Sequence, residues 1–189
     1  MSAEAELIRI DPDDDALVDA YLWLLHDAYQ EATGLGVHFK AATATREEVV
    51  AHLHGNTAWA FRVGGELVTT VSLRWPWGPN PGPYGLPHFG WLAVPPAHKG
   101  EGWGARIMGR VETEVLGPLR LPAVSLGTAE DHPFLGAMYE RQGFHAATRT
   151  DLGLGHITQY YLKPLDPAGF ARWVAQHPDL APPSTKESA

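Results

Sequence analysis

The residues with the clearest chemical signature lie between positions 92 and 106. An apolar run, Leu92-Ala93-Val94, leads through the loop Lys99-Gly100-Glu101-Gly102-Trp103-Gly104 into a helical pattern. Glycines allow a ligand to approach the backbone closely, and the first amides of a helix have no intrahelical acceptor. The loop therefore predicts an anion site at a helix N-terminus, where the helix dipole adds to the attraction.

The order of residues in this loop argues against two common phosphate sites. Lys99 precedes the glycines and no Ser or Thr follows them, unlike the loop of nucleoside triphosphatases. The glycines at 100, 102 and 104 also fit the dinucleotide pattern G-x-G-x-x-G poorly. The phosphate ligand is therefore of another kind.

Two segments resemble the GNAT superfamily of N-acetyltransferases. Residues 99–104 are similar to the signature [QR]-x-x-G-x-[GA], with Lys99 in place of Gln or Arg. Residues 132–144 are similar to N-x-x-A-x-x-[FL]-Y-E-[KR]-x-G-F, with His132 in place of Asn and Leu135 in place of Ala. The segments follow each other in the family's order and spacing, separated by one predicted strand.

The resemblance implies binding of acetyl-CoA, with its pyrophosphate on the loop amides and its pantetheine along the preceding strand. An extended chain carrying amides can pair with a strand edge as another strand would. The implied cofactor-binding residues are Leu92, Ala93, Val94, Lys99, Gly100, Glu101, Gly102, Trp103, Gly104, Ala105 and His132.

Two residues are implied to be catalytic. Tyr139 matches the tyrosine with which the family often protonates the departing thiolate, and a phenol suits that role. His88 lies six residues before Val94, where several members carry a general base, and a histidine pKa suits that role. The alternatives are a Tyr139 that packs its helix on the sheet and a solvated His88. Glu101 and Glu112 are weaker base candidates, because both are expected to be exposed.

The acceptor pocket is expected between two loops, at 33–43 and 75–87. Aromatic side chains there suit the body of a small molecule. The alternative is that the Pro/Trp-rich loop caps the core or contacts a second copy of the chain. The predicted substrate-binding residues are Tyr29, His38, Phe39, Trp75, Trp77 and Tyr84. No metal site is predicted, because the histidines of His52-x-His54 point about 200° apart on a helix.

Periodicity and turn residues give the elements that must position these groups. We expect a strand at 7–10, a helix to about residue 33, a helix at 45–54 with a Thr45 capping box, and a hairpin around Gly64-Gly65. Further strands are expected at 88–94, 123–126, 144–151 and 158–163, with helices at 102–115, 133–142 and 167–177.

The resemblance implies a single-domain α/β (α+β) GNAT-like fold. Its central sheet would be mixed and mostly antiparallel, with six to seven strands, splayed in the middle and flanked by about four helices. The acyltransferase domain is expected at 1–165. Residues 166–189 are expected to form an extension with a short helix and a disordered tail.

Composition excludes several classes of function. The chain has 189 residues, the size of one domain, and no cysteine, which excludes a thiolate nucleophile. A net charge of −8 opposes nucleic-acid binding. No run of 18 apolar residues and no signal-peptide pattern occur, so a cytoplasmic protein without membrane attachment is expected.

These observations predict an N-acetyltransferase that moves an acetyl group from acetyl-CoA to a primary amine of a small molecule by direct attack. An enzyme for protein lysine or N-terminal amines would need an open groove instead of a closed pocket. The substitutions at Lys99 and His132 keep a third class open, a binding module or a GNAT-fold protein with another acyl donor or no catalysis. Exposed aromatic residues are compatible with a homodimer.

Overall fold

A seven-stranded sheet forms the centre of the computed structural model, which describes residues 4–34, 40–153 and 155–182. The strand order is β1-β2-β3-β4-β5-β7-β6, and every pairing is antiparallel except the one between β4 and β5. The strands are β1 Glu6–Arg9, β2 Thr57–Val63, β3 Glu66–Arg74, β4 His88–Ala93, β5 Ala123–Ala129, β6 His145–Asp151 and β7 Ile157–Pro164.

Five α-helices occur in the described part of the chain: α1 Asp15–Gly34, α2 Arg46–Gly55, α3 Trp103–Val111, α4 Leu135–Arg141 and α5 Pro167–Gln176. The predicted fold class is confirmed, and α5 is the short helix expected in the C-terminal extension. At α2 the capping box is present as predicted, because Thr45 accepts from the amide of Glu48 and the Glu48 carboxylate accepts from the amide of Thr45. The predicted helix at 102–115 changes at residue 112 into a π-helical turn, Glu112–Leu116.

Alternating side chains on the sheet bury two separate cores. On β2, Ala58 and Ala60 pack in the cluster that contains the apolar face of α1 and α2, whereas Trp59 and Phe61 pack in the cluster of α3 and α4. Successive side chains of a strand point to opposite faces of the sheet, so the small residues lie on one side and the large ones on the other. The sheet is therefore covered by helices on both faces.

The sheet opens between β4 and β5. Only two residue pairs connect these parallel strands, His88 with Ser125 and Phe89 with Leu126. The register between β3 and β4 also shifts after the pair of Thr70 with Ala93, and Trp91 there has a φ of 47°. An irregularity with a left-handed residue bends a strand away from its neighbour. The edge of β4 is thereby exposed beyond residue 89.

The C-terminal segment packs on the end of the sheet. Phe170 of α5 and Leu180 join Leu86, Ala123 and Leu162 in a third apolar cluster. The domain boundary at residue 165 stays a prediction. The predicted disordered tail spans residues 182–189, and all of it after residue 182 lies outside the described residues. No helix among the described residues has the length and apolar character needed to cross a membrane.

Candidate active site

A cleft of about 1200 Å³ fills the opening between β4 and β5. One wall is the exposed part of β4, and the other is the end of β5 together with α4. The glycine-rich loop and the first residues of α3 lie at one end, and residues of α2, β3 and the 75–87 loop line the other. The volume exceeds the roughly 300–1,000 Å³ of ordinary ligand pockets, so two ligands fit side by side.

The glycine loop presents backbone amides to this cleft. Gly100 and Gly102 have φ values of 81° and 76°, conformations that side chains other than glycine rarely adopt. The first intrahelical bond of α3 runs from the amide of Arg106 to the carbonyl of Gly102, and no side chain of the described residues caps the helix. The amides of residues 103–105 thus remain available to an anion.

His132 and Lys99 add side chains to the same end. Both residues line the cleft, and burial, followed by the charge of Lys99, lowers the pKa of His132. The Nδ1 atom of His132 is buried and has no hydrogen-bond partner among the described residues. A buried polar atom without a partner is costly unless a ligand supplies one. These residues therefore fit an anionic cofactor that carries further polar groups, such as coenzyme A.

Ten of the eleven predicted cofactor residues line the cleft; the exception is Glu101. The Glu101 carboxylate accepts a hydrogen bond from Nε1 of Trp103 at 2.7 Å and lies 3.8 Å from Nδ1 of His98. Tyr29, predicted on the acceptor side, instead contacts the cofactor strand, because its hydroxyl donates to the Leu92 carbonyl at 2.8 Å.

Tyr139 lies on α4 with its ring in the core and is 7% exposed. It lines the cleft, and its hydroxyl makes no hydrogen bond with the described residues. Burial, with a smaller effect of Tyr161, raises the pKa of Tyr139, so the phenol stays protonated at neutral pH. The two interpretations of the sequence are therefore compatible, since one tyrosine both packs the helix and presents a donor to the cleft.

His88 lies at the point where β4 and β5 separate, and it is 6% exposed. Its Nδ1 atom lies 2.9 Å from Oγ of Ser125, whose hydroxyl donates to the Pro87 carbonyl. The serine oxygen then accepts from Nδ1–H, which leaves Nε2 with a lone pair. Burial, and next the charge of Arg74, lowers the pKa of His88 to about 3. The sequence alternative of a solvated His88 is wrong.

The acceptor end of the cleft differs most from the sequence expectation. Trp75 stacks on Trp77, which is 66% exposed, and Tyr84 contacts Thr148 and Tyr160. None of these three predicted residues lines the cleft, because the loop folds back on the end of α2 at Gly55. His38 and Phe39 lie outside the described residues.

The 75–87 loop shapes the cleft in two other ways. Asn80 lines it, and Gly82 packs so close to His88 that a methyl group on Gly82 would lie 2.2 Å from the histidine Cβ. The loop therefore holds His88 in place. Sequence periodicity carries no signal for such a contact.

Four acceptor-side residues were missed in the sequence: His52 on α2, Asn56 directly after α2, Arg74 at the end of β3, and Trp91 in β4. Asn56 lies at the end of the helix, where its side chain donates to the His52 carbonyl, and periodicity gives no signal for this contact. Glu112 was expected to be exposed, and this is wrong. Its side chain is 11% exposed, pairs with Lys163 and has a pKa raised mainly by burial.

The cleft combines three features: the amides of residues 103–105, the open edge of β4 and the protonated phenol of Tyr139. This arrangement suits an acyltransferase that takes its acyl group from a long anionic donor. Comparison with known sequences gives the family. Residues 19–144 match the Acetyltransferase (GNAT) family, and the chain belongs to this family and is an N-acetyltransferase.

Two curated relatives come from Bacillus subtilis (strain 168). An S-(2-succino)cysteine N-acetyltransferase is 42% identical over 139 residues, which cover 73% of this chain and 84% of the relative. An S-alkylcysteine N-acetyltransferase is 33% identical over 125 residues, covering 65% of this chain and 70% of that protein.

Solved structures show the same fold. An aminoglycoside 6'-acetyltransferase type Ii superposes with a TM-score of 0.64 at 21% identity, over 86% of this chain and 98% of the other. An aminoglycoside 6'-N-acetyltransferase complexed with coenzyme A superposes with a TM-score of 0.60 at 16% identity, over 86% and 98%.

Substitution of Gly102 by alanine tests the amide cradle. A Cβ at Gly102 has open space, so the cost comes from the left-handed φ alone, about 1–2 kcal/mol. We expect the loop to relax and coenzyme A affinity, measured by calorimetry, to fall about tenfold. Gly109→Ala is the matched control, since Gly109 lies on the same helix with open space and ordinary φ. Equal affinity in Gly102→Ala and wild type would argue against the cradle.

Burial of neutral His88 predicts a pH-dependent stability. The folded imidazole stays neutral down to its pKa of about 3, whereas the unfolded chain takes up the proton below about 6.5. The unfolded state binds more protons within this window, so the free energy of unfolding falls as the pH falls, by up to about 1.4 kcal/mol per pH unit.

Urea unfolding at pH 7 and pH 4.5 measures this effect. We expect His88→Gln to show a smaller loss of stability between the two pH values than the wild type. The control is His54→Gln, at an exposed position on α2, which keeps the wild-type dependence. An identical loss in His88→Gln and wild type would contradict the neutral, buried state of His88.

Proposed function

We propose that this chain transfers the acetyl group of acetyl-CoA to the α-amine of an S-substituted cysteine. The observation that carries the proposal is the 42% identity with the S-(2-succino)cysteine enzyme over most of both chains. The second relative, which acts on S-alkylcysteine, supports the same class of acceptor.

The charge of the cleft supports an amino-acid acceptor. Four of the five charged side chains that line it among the described residues are positive: Lys40, Arg74, Lys99 and Arg141, against Glu48. The chain as a whole carries −8. Lys99 lies at the glycine loop and Lys40 is 3.8 Å from Glu48, whereas Arg74 at the end of β3 has no carboxylate partner among the described residues. Arg74 therefore favours the carboxylate of an amino acid and disfavours polycationic amines, because close charges act more strongly than distant ones. The acidic net charge therefore does not indicate a cationic acceptor.

Acetyl-CoA supplies the acyl group as a thioester. In this proposal the amides of residues 103–105 bind its pyrophosphate, with Lys99 adding charge and the buried Nδ1 of His132 a polar contact. The edge of β4 and the following Val94 would hold the pantetheine. The chain has no cysteine, so no thiolate acyl-enzyme forms, and the proposal has the amine attack the thioester directly.

Tyr139 is proposed as the general acid. The sulfur leaves with a negative charge unless it receives a proton, and a buried phenol is a donor that stays protonated at neutral pH. The position of Tyr139 in the cleft wall, with a hydroxyl free of hydrogen bonds to the described residues, supports this role.

His88 is proposed to orient the amine. With a pKa of about 3 the imidazole is too weak a base to keep the amine proton at neutral pH. Its unprotonated Nε2 atom is, however, a hydrogen-bond acceptor fixed by Ser125 and by the close packing of Gly82. The proton of the amine then passes to water, and His88 holds the nitrogen in the cleft.

A panel of acceptors tests the function. Release of free coenzyme A is measured with S-methylcysteine, S-carboxymethylcysteine, spermidine, an aminoglycoside and a peptide with a free N-terminus. We expect turnover with the S-substituted cysteines and a kcat/KM at least 100-fold lower with the polycations and the peptide. Preferred turnover of the peptide or of spermidine would contradict the proposal.

Replacement of Tyr139 by phenylalanine tests the acid. Loss of the proton donor is expected to lower kcat by at least about 100-fold, with little change in the KM for acetyl-CoA. Tyr161→Phe is the matched control, because Tyr161 packs beside Tyr139 at a ring distance of 6.0 Å but does not line the cleft. Wild-type kcat in Tyr139→Phe would exclude the role.

A further inference from the structure

The acceptor end of the cleft contains two donor groups that have no partner among the described residues. One is the half-buried guanidinium of Arg74, and the other is the buried Nε2 of His52. Buried polar groups are normally hydrogen-bonded, and a partly desolvated charge gains from a partner of opposite charge. The His52 nitrogen therefore needs a hydrogen-bond acceptor, and the guanidinium that lines the same cleft favours an acceptor with negative charge.

Arg74 stands out from the other arginines by its surroundings. Arg46, Arg62, Arg110 and Arg149 each form an ion pair with a carboxylate. Arg74 is half-buried at the end of β3, opposite His88, and it makes no ion pair or side-chain hydrogen bond with any described residue. Burial lowers its pKa, which reflects the loss of water around the charge.

The proton of His52 can be located from its neighbour Asn56. The amide nitrogen of Asn56 lies 2.8 Å from the His52 carbonyl, which can only accept, so the amide orientation is fixed. The same nitrogen lies 3.3 Å from Nδ1 of His52, which must therefore accept as well. The ring proton is then on Nε2, and this atom is buried without a partner.

The His52 ring is held rigidly. It stacks on Trp91 with a centroid distance of 3.7 Å and an angle of 6° between the planes. Burial, then the charges of Arg74 and Lys40, lowers the pKa of His52 to about 4, so the ring remains a neutral donor. Arg74 lines the same cleft as His52. The fixed Nε2–H of His52 and the guanidinium of Arg74 are together suited to donate hydrogen bonds to the two oxygens of one carboxylate.

We propose that Arg74 and the Nε2–H of His52 form a carboxylate-binding subsite that determines acceptor specificity. The proposal rests on the proposed function and deepens it, since it states which chemistry of the acceptor is recognised and by which residues. Asn56 and Trp91 act as positioning residues, because they fix the tautomer and the plane of His52. The carboxylate comes either from the amino-acid group or from the sulfur substituent, and both sources offer the same chemistry.

Three acceptors separate these sources: S-carboxymethylcysteine with two carboxylates, S-methylcysteine with the α-carboxylate alone, and S-methylcysteamine with none. We expect Arg74→Gln to raise the KM for S-carboxymethylcysteine at least tenfold while kcat changes less than threefold. If the substituent is bound, the KM for S-methylcysteine stays unchanged. If the α-carboxylate is bound, the KM values for S-carboxymethylcysteine and S-methylcysteine rise by the same factor. In either case S-methylcysteamine is unaffected.

Matched variants separate recognition from structure. His52→Phe keeps a ring to stack on Trp91 but removes the N–H, and its KM for the same carboxylate is expected to rise about five- to tenfold. Arg74→Lys keeps the charge without the fork and should recover part of the affinity. Arg62→Gln, on β2 outside the cleft, is expected to match the wild type.

Calorimetric binding of S-carboxymethylcysteine gives a readout that is independent of turnover. Binding to the wild type that is lost in Arg74→Gln supports the subsite even if the acceptor panel shows another preferred amine, which would overturn only the proposed function. The subsite is overturned if S-carboxymethylcysteine does not bind the wild type. It is also overturned if Arg74→Gln weakens S-methylcysteamine as much as the carboxylates.

Discussion

The separation of β4 from β5 is the constraint on which the rest of the site depends. Two residue pairs join the strands, and beyond them the edge of β4 that faces β5 has no partner strand, while its other edge stays paired with β3. The irregularity at Trp91 keeps the edge open and also places the indole under His52. A sheet paired along its full length would leave neither a strand edge for a donor nor room for an acceptor.

The charged side chains around this opening are mostly positive, which the net charge of the chain does not indicate. The chain is acidic overall, yet positive side chains from the glycine loop, α4, β3 and residue 40 converge on the cleft. Electrostatic attraction weakens with distance and with screening by salt, so the local arrangement dominates ligand selection. Net charge therefore does not identify the acceptor.

Burial fixes the protonation states of three titratable groups of the cleft. Desolvation keeps His88 and His52 neutral and Tyr139 protonated, which separates acceptors from donors at neutral pH. Backbone and side-chain hydrogen bonds then fix the histidine tautomers, through Ser125 for His88 and through Asn56 for His52. The groups are thus oriented before a ligand arrives, which lowers the cost of binding.

By itself the sequence determined the elements and the cofactor end of the site. Local signals suffice there: a capping box starts α2, and glycines 100 and 102 adopt left-handed conformations because no other residue does so readily. The acceptor end was decided by tertiary structure. Trp75, Trp77 and Tyr84 turn away from the cleft, whereas His52, Arg74 and Trp91 meet there from three elements distant in sequence. Periodicity describes which face of one element is buried, but only the packing of α2 against the irregular part of β4 decides which side chains face the same cavity.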